Sequence, residues 1–270
     1  MKTIHFISGL PRSGSTMLSA ILIQNLDCYA SVSSPVASVV DTIIGGASAG
    51  TEFAPLMTFA KREAIVRSVF EAYYSDRPES IIFDTNRSWT AKMPLLNSLF
   101  PNAKVIAMVR NLSWIMDSME RLYRRQPYEH TRLFSSGERA TVYTRVEALG
   151  QRNRLVGLAW ASLREAACGE YSKSLLLVDY DFFVSNPSAT MCEIYDFIGL
   201  PQFNHDYENL SFDSEEFDNS LGVVGLHKVR SKVERIERET VLPLDLFTQY
   251  SNLSFWNDSN NLKSAKIIKG

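Results

Sequence analysis

The sequence has few cysteines and no long apolar run. Its three cysteines, Cys28, Cys168 and Cys192, lie far apart and form no CxxC pair. An odd number of separated cysteines argues against a disulfide framework and against a zinc knuckle. The apolar residues near the start give way at Ser8 to a polar stretch, too soon for a signal sequence or a membrane span. We therefore expect a cytoplasmic protein in a reducing compartment, without a membrane partner or a bound metal.

The chain also lacks an excess of charge of either sign. It has 28 lysines and arginines against 30 aspartates and glutamates, for a formal net charge of −2. Positively and negatively charged residues are mixed along the sequence, which argues against an extended basic surface for binding nucleic acid. Any anion-binding site must be local.

The length and composition are sufficient for one hydrophobic core. The chain has 270 residues, and 45% of them are apolar, which is enough for one α/β domain. We predict a single domain over residues 1–257. Residues 258–270 are polar and lysine-bearing without periodicity, and this pattern predicts a flexible C-terminal tail.

Short apolar runs alternate with longer amphipathic segments along the chain. The runs that predict strands are Ile4–Ser8, Ser80–Asp84, Lys104–Val109 and Ser174–Val178. The segments that predict helices are Thr16–Asn25, Pro35–Ile44, Lys61–Tyr74, Trp89–Leu99, Ser113–Arg124, Val142–Ala167 and Pro187–Ile198. This alternation indicates an α/β fold with three layers and a doubly wound, mostly parallel sheet, whose ligands bind beyond the carboxyl ends of the strands.

A glycine-bearing loop follows the first predicted strand and precedes the first predicted helix. Gly9 and Gly14 allow the backbone of this loop to curl so that successive N–H groups point inward. The start of the following helix adds the positive end of its dipole. The order of strand, loop and helix is typical of a phosphate-binding site. The alternative is a glycine turn that only packs the helix on the strand.

The loop has the spacing of the P-loop motif G-x-x-x-x-G-K-[ST] but carries Ser15, followed by Thr16, where the motif has lysine. Triphosphate chemistry depends on that lysine and on magnesium to offset charge. A sulfuryl group carries less negative charge, so Arg12 and backbone donors suffice for it. Besides a protein that acts on a sulfuryl group, the loop leaves two alternatives open: a nucleotide kinase or triphosphatase, and a catalytically silent nucleotide-binding module.

The residues of this loop also resemble those of a known family. Pro11-Arg12-Ser13-Gly14-Ser15-Thr16 is similar to the P-[KR]-S-G-[ST]-T loop of the sulfotransferases that use 3′-phosphoadenosine 5′-phosphosulfate (PAPS). The resemblance implies that residues 12–16 grip the 5′-phosphosulfate. It also implies transfer of the sulfuryl group to a hydroxyl or amine of a small-molecule, saccharide or peptide acceptor, which leaves adenosine 3′,5′-bisphosphate. With arginine rather than lysine at position 12, the loop resembles that of the tyrosylprotein and carbohydrate sulfotransferases.

A second element resembles the part of this family that binds the 3′-phosphate. The predicted strand over Lys104–Val109 is followed by Arg110, and Ser118 comes eight residues later on the next predicted helix. Because Arg110 stands at the carboxyl end of its strand and the helix starts just beyond it, both side chains can reach one phosphate. The alternative is that Arg110 pairs with an acid at a neighbouring strand end, such as Asp84.

Other segments match the family less specifically. Residues 175–187 and 194–201 resemble its strand, "Y-E-D-L" turn and "F-L-G-L-P" helix end, for which we expect a structural role. Arg87 follows the predicted strand at the place where many relatives have a lysine, which the arginine could replace. The basic residues 225–232, including Lys228 and Arg230, resemble a lid that closes over the 3′-phosphate. The alternative for the lid is a solvated charged face.

The sequence does not identify the general base. Glu52 lies in a glycine-rich stretch where glutamate-using relatives place theirs, and His130 and His227 are the alternatives. Arg12 is the first candidate to stabilise the transferring group, with Arg87 beside it. A glutamate or histidine in a loop is more often simply solvated.

Overall fold

A computed structural model describes residues 2–125, 128, 133–221 and 225–270. Its strands form one sheet, and four of them coincide with predicted runs to within a residue at each end. The strands are β1 (Thr3–Gly9), β2 (Cys28–Ala30), β3 (Ile81–Thr85), β4 (Val105–Val109), β5 (Leu175–Asp179) and β6 (Lys266–Ile268).

The sheet has the order β2-β3-β1-β4-β5-β6, and every pair of neighbouring strands is parallel. From β1 the chain crosses to β2 at one edge and returns to β3 beside β1; it then passes to the other side of β1 and continues outward through β4, β5 and β6. The fold is therefore the predicted α/β doubly wound sheet. In such folds the strand order reverses beside the first strand, and a crevice opens there beyond the carboxyl ends.

Helices cover both faces of the sheet. They are α1 (Ser15–Leu22), α2 (Val36–Gly46), α3 (Phe59–Tyr73), α4 (Met93–Leu99), α5 (Leu112–Arg124), α6 (Val142–Gly150), α7 (Leu155–Cys168), α8 (Tyr180–Ser185), α9 (Pro187–Ile198), α10 (Glu215–Leu221) and α11 (Leu244–Ser251). Alternate residues of β1 enter different cores: Phe6 packs with one apolar cluster and Ile7 with the other. This alternation is expected of a strand covered on both sides, and it gives the three predicted layers.

Two predictions about chain segments are wrong. The helix predicted over Val142–Ala167 is two helices, because α6 ends at Gly150 and α7 starts only at Leu155. A side chain at Gly157 would lie 2.2 Å from the carbonyl oxygen of Gln151. The turn between the helices thus packs directly on α7, which requires a glycine there.

The flexible tail predicted from residue 258 onward is also wrong. β6 pairs with β5 through Leu176, Leu177 and Val178, and Ile268 is only 2% exposed. A strand of three residues is too short to show an alternation of apolar and polar residues. Its apolar residues therefore give no recognisable strand pattern among the polar residues around them. Within the described residues, no helix combines the length and the apolar character needed to cross a membrane.

The carboxylate of Asp84 at the end of β3 organises a buried polar cluster. It accepts hydrogen bonds from Ser34 Oγ at 2.7 and 2.9 Å, from Tyr74 Oη at 2.8 Å and from Trp89 Nε1 at 2.8 Å. Burial raises the pKa of Asp84, and the three donors oppose that shift. The cluster joins the segments that follow β2 and β3 and fixes the strand ends beside the crevice.

Candidate active site

A cavity of about 720 Å³ opens at the carboxyl ends of the strands. Its walls come from the segments that follow the first five strands and from residues within 217–220 and 226–238 near the end of the chain. The fold predicts a ligand site at this position. The volume lies within the range of about 300–1,000 Å³ that is usual for ligand sites.

The loop between β1 and α1 forms one wall. Gly14 has φ +97°, and a Cβ atom there would lie 2.8 Å from Cδ2 of Tyr180. Both the backbone conformation and the close approach therefore require glycine. Gly14, Ser15 and Thr16 line the cavity, as predicted, and α1 begins at Ser15. Its N-terminal N–H groups are consequently at the cavity wall.

Ser13 has a different place from the one predicted. Its side chain is fully buried and donates hydrogen bonds to the carbonyl oxygens of Leu10 at 2.5 Å and Met108 at 3.0 Å. It is not among the residues that line the cavity. Ser13 thus holds the loop against β4, and its hydroxyl does not face a ligand.

Arg12 lies at the centre of the site. Among the described residues it alone has a positive φ without being glycine, at 57°. Such a backbone conformation costs about 1–3 kcal/mol and is common at functional sites. Arg12 Nε donates to Ser118 Oγ at 3.1 Å, and Nη1 donates to the carbonyl oxygen of Leu226. Burial lowers the pKa of Arg12, and the positive charges of Arg110 and Arg125 lower it further.

Arg110 lies on the same cavity. Its guanidinium stacks over the ring of Tyr180, with 4.2 Å between Cζ and the ring centroid. Its Nε is buried and has no hydrogen-bond partner in the described part of the chain. The alternative pairing with Asp84 is wrong, because that carboxylate is used by the polar cluster at the end of β3. Arg12, Arg110 and Ser118 thus share one cleft, as the sequence predicted.

Tyr180 and Asp181 were not predicted as site residues. The turn that contains them was expected to be structural, yet both line the cavity. Tyr180 packs against Gly14 and stacks with Arg110, so it connects the two loops. Their position directly after β5 is the signal that could have identified them, since ligands bind at the carboxyl ends of parallel strands.

Arg87 lines the cavity from the segment after β3, as expected. Its side chain is exposed toward the cavity, while its carbonyl oxygen accepts a hydrogen bond from Ser8 Oγ at 2.9 Å. Protein atoms around the guanidinium displace water and lower the pKa of Arg87. The end of β1 therefore fixes the backbone that carries this arginine.

Residues 225–238, which we call the closing segment, contribute a further part of the cavity wall. Lys228 and Arg230 are exposed and line the cavity. The segment is attached near its start by the bond from Arg12 to Leu226. Near its end, an ion pair of 2.7 Å joins Arg238 to the buried Asp117 of α5. The segment thus contributes basic side chains to the cavity wall.

The candidates for the general base differ in their position relative to the cavity. Glu52 lies in an exposed turn and does not line the cavity, so the structure does not bring it to the site. His130 lies outside the described residues. His227 lines the cavity, and its Nδ1 is 2.6 Å from Asp218 Oδ1.

The cavity wall concentrates positive charge. The cationic side chains along it are Arg12, Arg87, Arg110, Lys228, Arg230, Lys232, Arg235 and Arg238. Burial lowers the pKa of Arg238 as well, and Arg110 is among the cations that lower it further. An anion in the cavity would relieve this repulsion. In the described ranges, no group of three histidine, cysteine, aspartate or glutamate side chains is placed to hold a metal ion.

Similarity to known proteins agrees with this geometry. The family described as the sulfotransferase family matches residues 5–205, which is well over half of the chain. The chain therefore belongs to the sulfotransferase family. No curated protein matches the sequence.

Solved bacterial sulfotransferases are similar in fold. The sulfotransferase from Alicyclobacillus acidocaldarius has 18% sequence identity and a TM-score of 0.50, over 82% of this chain and 92% of that one. The sulfotransferase domain of the Synechococcus PCC 7002 olefin synthase has 18% identity and a TM-score of 0.48, over 93% and 95% of the two chains. At such identities the comparison concerns the fold alone, and the first structure supports the α/β architecture.

Proposed function

We propose that this protein transfers a sulfuryl group from PAPS to a hydroxyl or amine of an acceptor. The observation that carries the proposal is the pairing of Arg12 with Ser118 inside one cavity that also contains Arg110. The loop after β1 and helix α5, which follows β4, are thereby held together. A donor with a phosphate at each end of its ribose needs such an arrangement of two anion sites.

The donor occupies the wall made by the first and fourth strands. The N–H groups at the start of α1, together with Ser15 and Thr16, hold the 5′-phosphosulfate. Arg110 and Ser118 hold the 3′-phosphate, and the unpaired Nε of Arg110 is a donor available for it. Lys228 and Arg230 add positive charge from the closing segment, which also lines the cavity.

The chemistry is an in-line displacement at sulfur. The bond between sulfur and the bridging oxygen of the 5′-phosphate breaks while a bond from the acceptor oxygen or nitrogen to sulfur forms. Adenosine 3′,5′-bisphosphate leaves, and a base accepts the acceptor's proton. Arg12 and Arg87 stabilise the charge that develops on the sulfuryl and bridging oxygens. Positioning and preorganised charge provide most of the acceleration in such a reaction.

The rest of the cavity supports an acceptor that is partly apolar. Met119 and Leu122 line it from α5, and Ile236 lines it from the closing segment. Leu133 and Leu155 complete this apolar group. An alcohol or phenol on a hydrophobic frame fits this surface better than a free sugar does. The three cysteines are free thiols, which supports a reducing, cytoplasmic setting.

Ligand binding distinguishes this proposal from the kinase alternative. We expect adenosine 3′,5′-bisphosphate to raise the melting temperature by several degrees, because a ligand at 100 times its Kd adds about 2.7 kcal/mol of stability. ATP with magnesium should have little effect. Equal shifts with both ligands would support the kinase or triphosphatase instead.

A transfer assay distinguishes an enzyme from a silent binder. Labelled PAPS is incubated with a panel of aliphatic alcohols, phenols, amines and sugars, and sulfated products are separated. We expect transfer to at least one apolar alcohol or phenol. Tight binding of adenosine 3′,5′-bisphosphate without transfer to any member of a broad panel would instead favour the silent module.

A further inference from the structure

His227 and Asp218 form a paired unit on the wall of the cavity. Nδ1 of His227 lies 2.6 Å from Oδ1 of Asp218, and the backbone N–H of His227 donates to Oδ2 at 2.9 Å. One carboxylate therefore holds both the ring and the main chain of the histidine. Asp218 is 2% exposed, so its two oxygens are directed at His227 and away from water.

The pairing decides which ring nitrogen is available. With Nδ1–H donated to the carboxylate, Nε2 carries the lone pair. None of the hydrogen bonds found among the described residues uses Nε2. The side chain of His227 is 21% exposed, and the residue lines the cavity. The ring of Phe217 packs edge-on against the imidazole, with 5.3 Å between centroids and 65° between planes, and restricts its rotation.

His227 is also close to the charges proposed to act on the transferring group. The carbonyl oxygen of Leu226, the preceding residue, accepts the hydrogen bond from Arg12. The pKa of His227 lies below its ordinary value because of burial; Asp218 raises it, and the positive charges of Arg12 and Arg87 lower it. The imidazole is therefore neutral near pH 7 and able to accept a proton.

We propose that Nε2 of His227 is the general base of the transfer and that Asp218 is the positioning residue that fixes its tautomer and direction. This inference rests on the proposed function, and it replaces Glu52, which the structure leaves outside the cavity. As the acceptor oxygen attacks sulfur, its proton moves to Nε2. The carboxylate stabilises the resulting imidazolium, which later releases the proton to solvent. The proposed base thus lies within the closing segment.

The test compares acceptors that need a base with acceptors that do not. An aliphatic alcohol must lose its proton during attack, whereas a nitrophenol at mildly alkaline pH is already largely ionised. We expect His227→Gln to lower kcat with an aliphatic alcohol on the order of 10²-fold or more, as general-base catalysis supplies about 10²–10⁴-fold. The same variant should lower kcat with the nitrophenol less than about fivefold. KM for PAPS and the thermal shift with adenosine 3′,5′-bisphosphate should be unchanged.

Asp218→Asn tests the positioning role through the pH profile. The base works only when neutral, so kcat/KM with the alcohol rises with pH through the pKa of His227. Because the carboxylate raises that pKa, the asparagine variant should move the acidic limb to lower pH and also lower the plateau. A purely structural effect would lower the plateau without moving the limb. Glu216→Gln is the matched control, since it removes an exposed carboxylate from the same helix and should leave both unchanged.

The outcomes separate this inference from the proposed function. If wild-type protein binds adenosine 3′,5′-bisphosphate and sulfates both acceptor types but His227→Gln lowers both rates equally or neither, the base assignment is wrong. An unmoved acidic limb in Asp218→Asn overturns the positioning role. If wild-type protein transfers sulfate to no acceptor, the proposed function itself fails.

Discussion

Replacing Arg110 with methionine separates nucleotide recognition from folding. Arg110 carries a buried Nε without a partner, and its guanidinium rests on Tyr180. A hydrogen bond from a charged donor contributes about 1.5–3 kcal/mol, and each 1.4 kcal/mol is tenfold in affinity. Arg110→Met should therefore weaken binding of adenosine 3′,5′-bisphosphate by about 10- to 150-fold. Binding of adenosine 5′-monophosphate, which has no 3′-phosphate, should change little.

The ligand-free protein should respond differently to the same substitution. The substitution removes a buried donor without a partner, which raises stability by about 1–3 kcal/mol. It also removes the cation–π contact with Tyr180, which lowers stability by about 0.5–1 kcal/mol. Since these effects oppose each other, we expect a melting temperature that is unchanged or a few degrees higher without ligand, at about 2–4 °C per kcal/mol for a chain of this size.

Calorimetric titration and thermal unfolding measure the two effects. Arg77 is a matched control because its guanidinium also stacks on a tyrosine, 4.6 Å from the ring centroid of Tyr29, but away from the cavity. Arg77→Met should leave the nucleotide preference intact. If Arg110→Met retains the preference for the bisphosphate, the 3′-phosphate assignment is refuted; a loss of several kcal/mol in the ligand-free protein would show that Arg110 is structural.

Three further substitutions test local features. Burial lowers the pKa of His5 to about 4, whereas the pKa of a histidine in the unfolded chain is about 6.5. As the pH falls, the unfolded chain therefore binds a proton first, and the free energy of unfolding should drop by about 3 kcal/mol between pH 6.5 and 4. His5→Asn should flatten this pH dependence of stability in urea titrations. Gly14→Ala forces a side chain against Tyr180 at a φ of +97°, and we expect at least a tenfold loss of nucleotide affinity by titration. Asp117→Asn weakens the ion pair with Arg238, and hydrogen exchange should become faster at residues 238–241 while the strands of the sheet are unaffected.

The parts of the fold and site that could be predicted are those whose signal is local. β1, the glycine loop and α1 follow each other directly, so their order alone places the cavity beside Gly14. Arg110 could be placed because a residue just past a buried strand must lie at the carboxyl edge of a parallel sheet. The sequence did not predict the direct contact between Arg12 and Ser118, which the structure forms because β1 and β4 are neighbours that end at the same edge.

The rest depends on contacts between distant segments. β2 and β6 have three residues each, too few for a period, and they become strands only by pairing with β3 and β5. Glu52 could not be excluded because the direction of a loop is set by what packs on it. Likewise the sequence offers no local reason to join Asp218 to His227, nine positions apart. Only the folded chain brings that carboxylate against the histidine ring.

In the proposed reaction, the attachment of the closing segment also affects how the nucleotide enters and leaves the cavity. Arg12 donates a hydrogen bond to the carbonyl oxygen of Leu226, and we propose that the same guanidinium also contacts the donor. Arrival of PAPS therefore exchanges one partner of Arg12 for another and frees the near end of the segment, while Asp117 keeps the far end on α5. On this proposal the ion pair between Arg238 and Asp117 is the attachment that remains, and release of adenosine 3′,5′-bisphosphate is coupled to the return of the Arg12–Leu226 hydrogen bond.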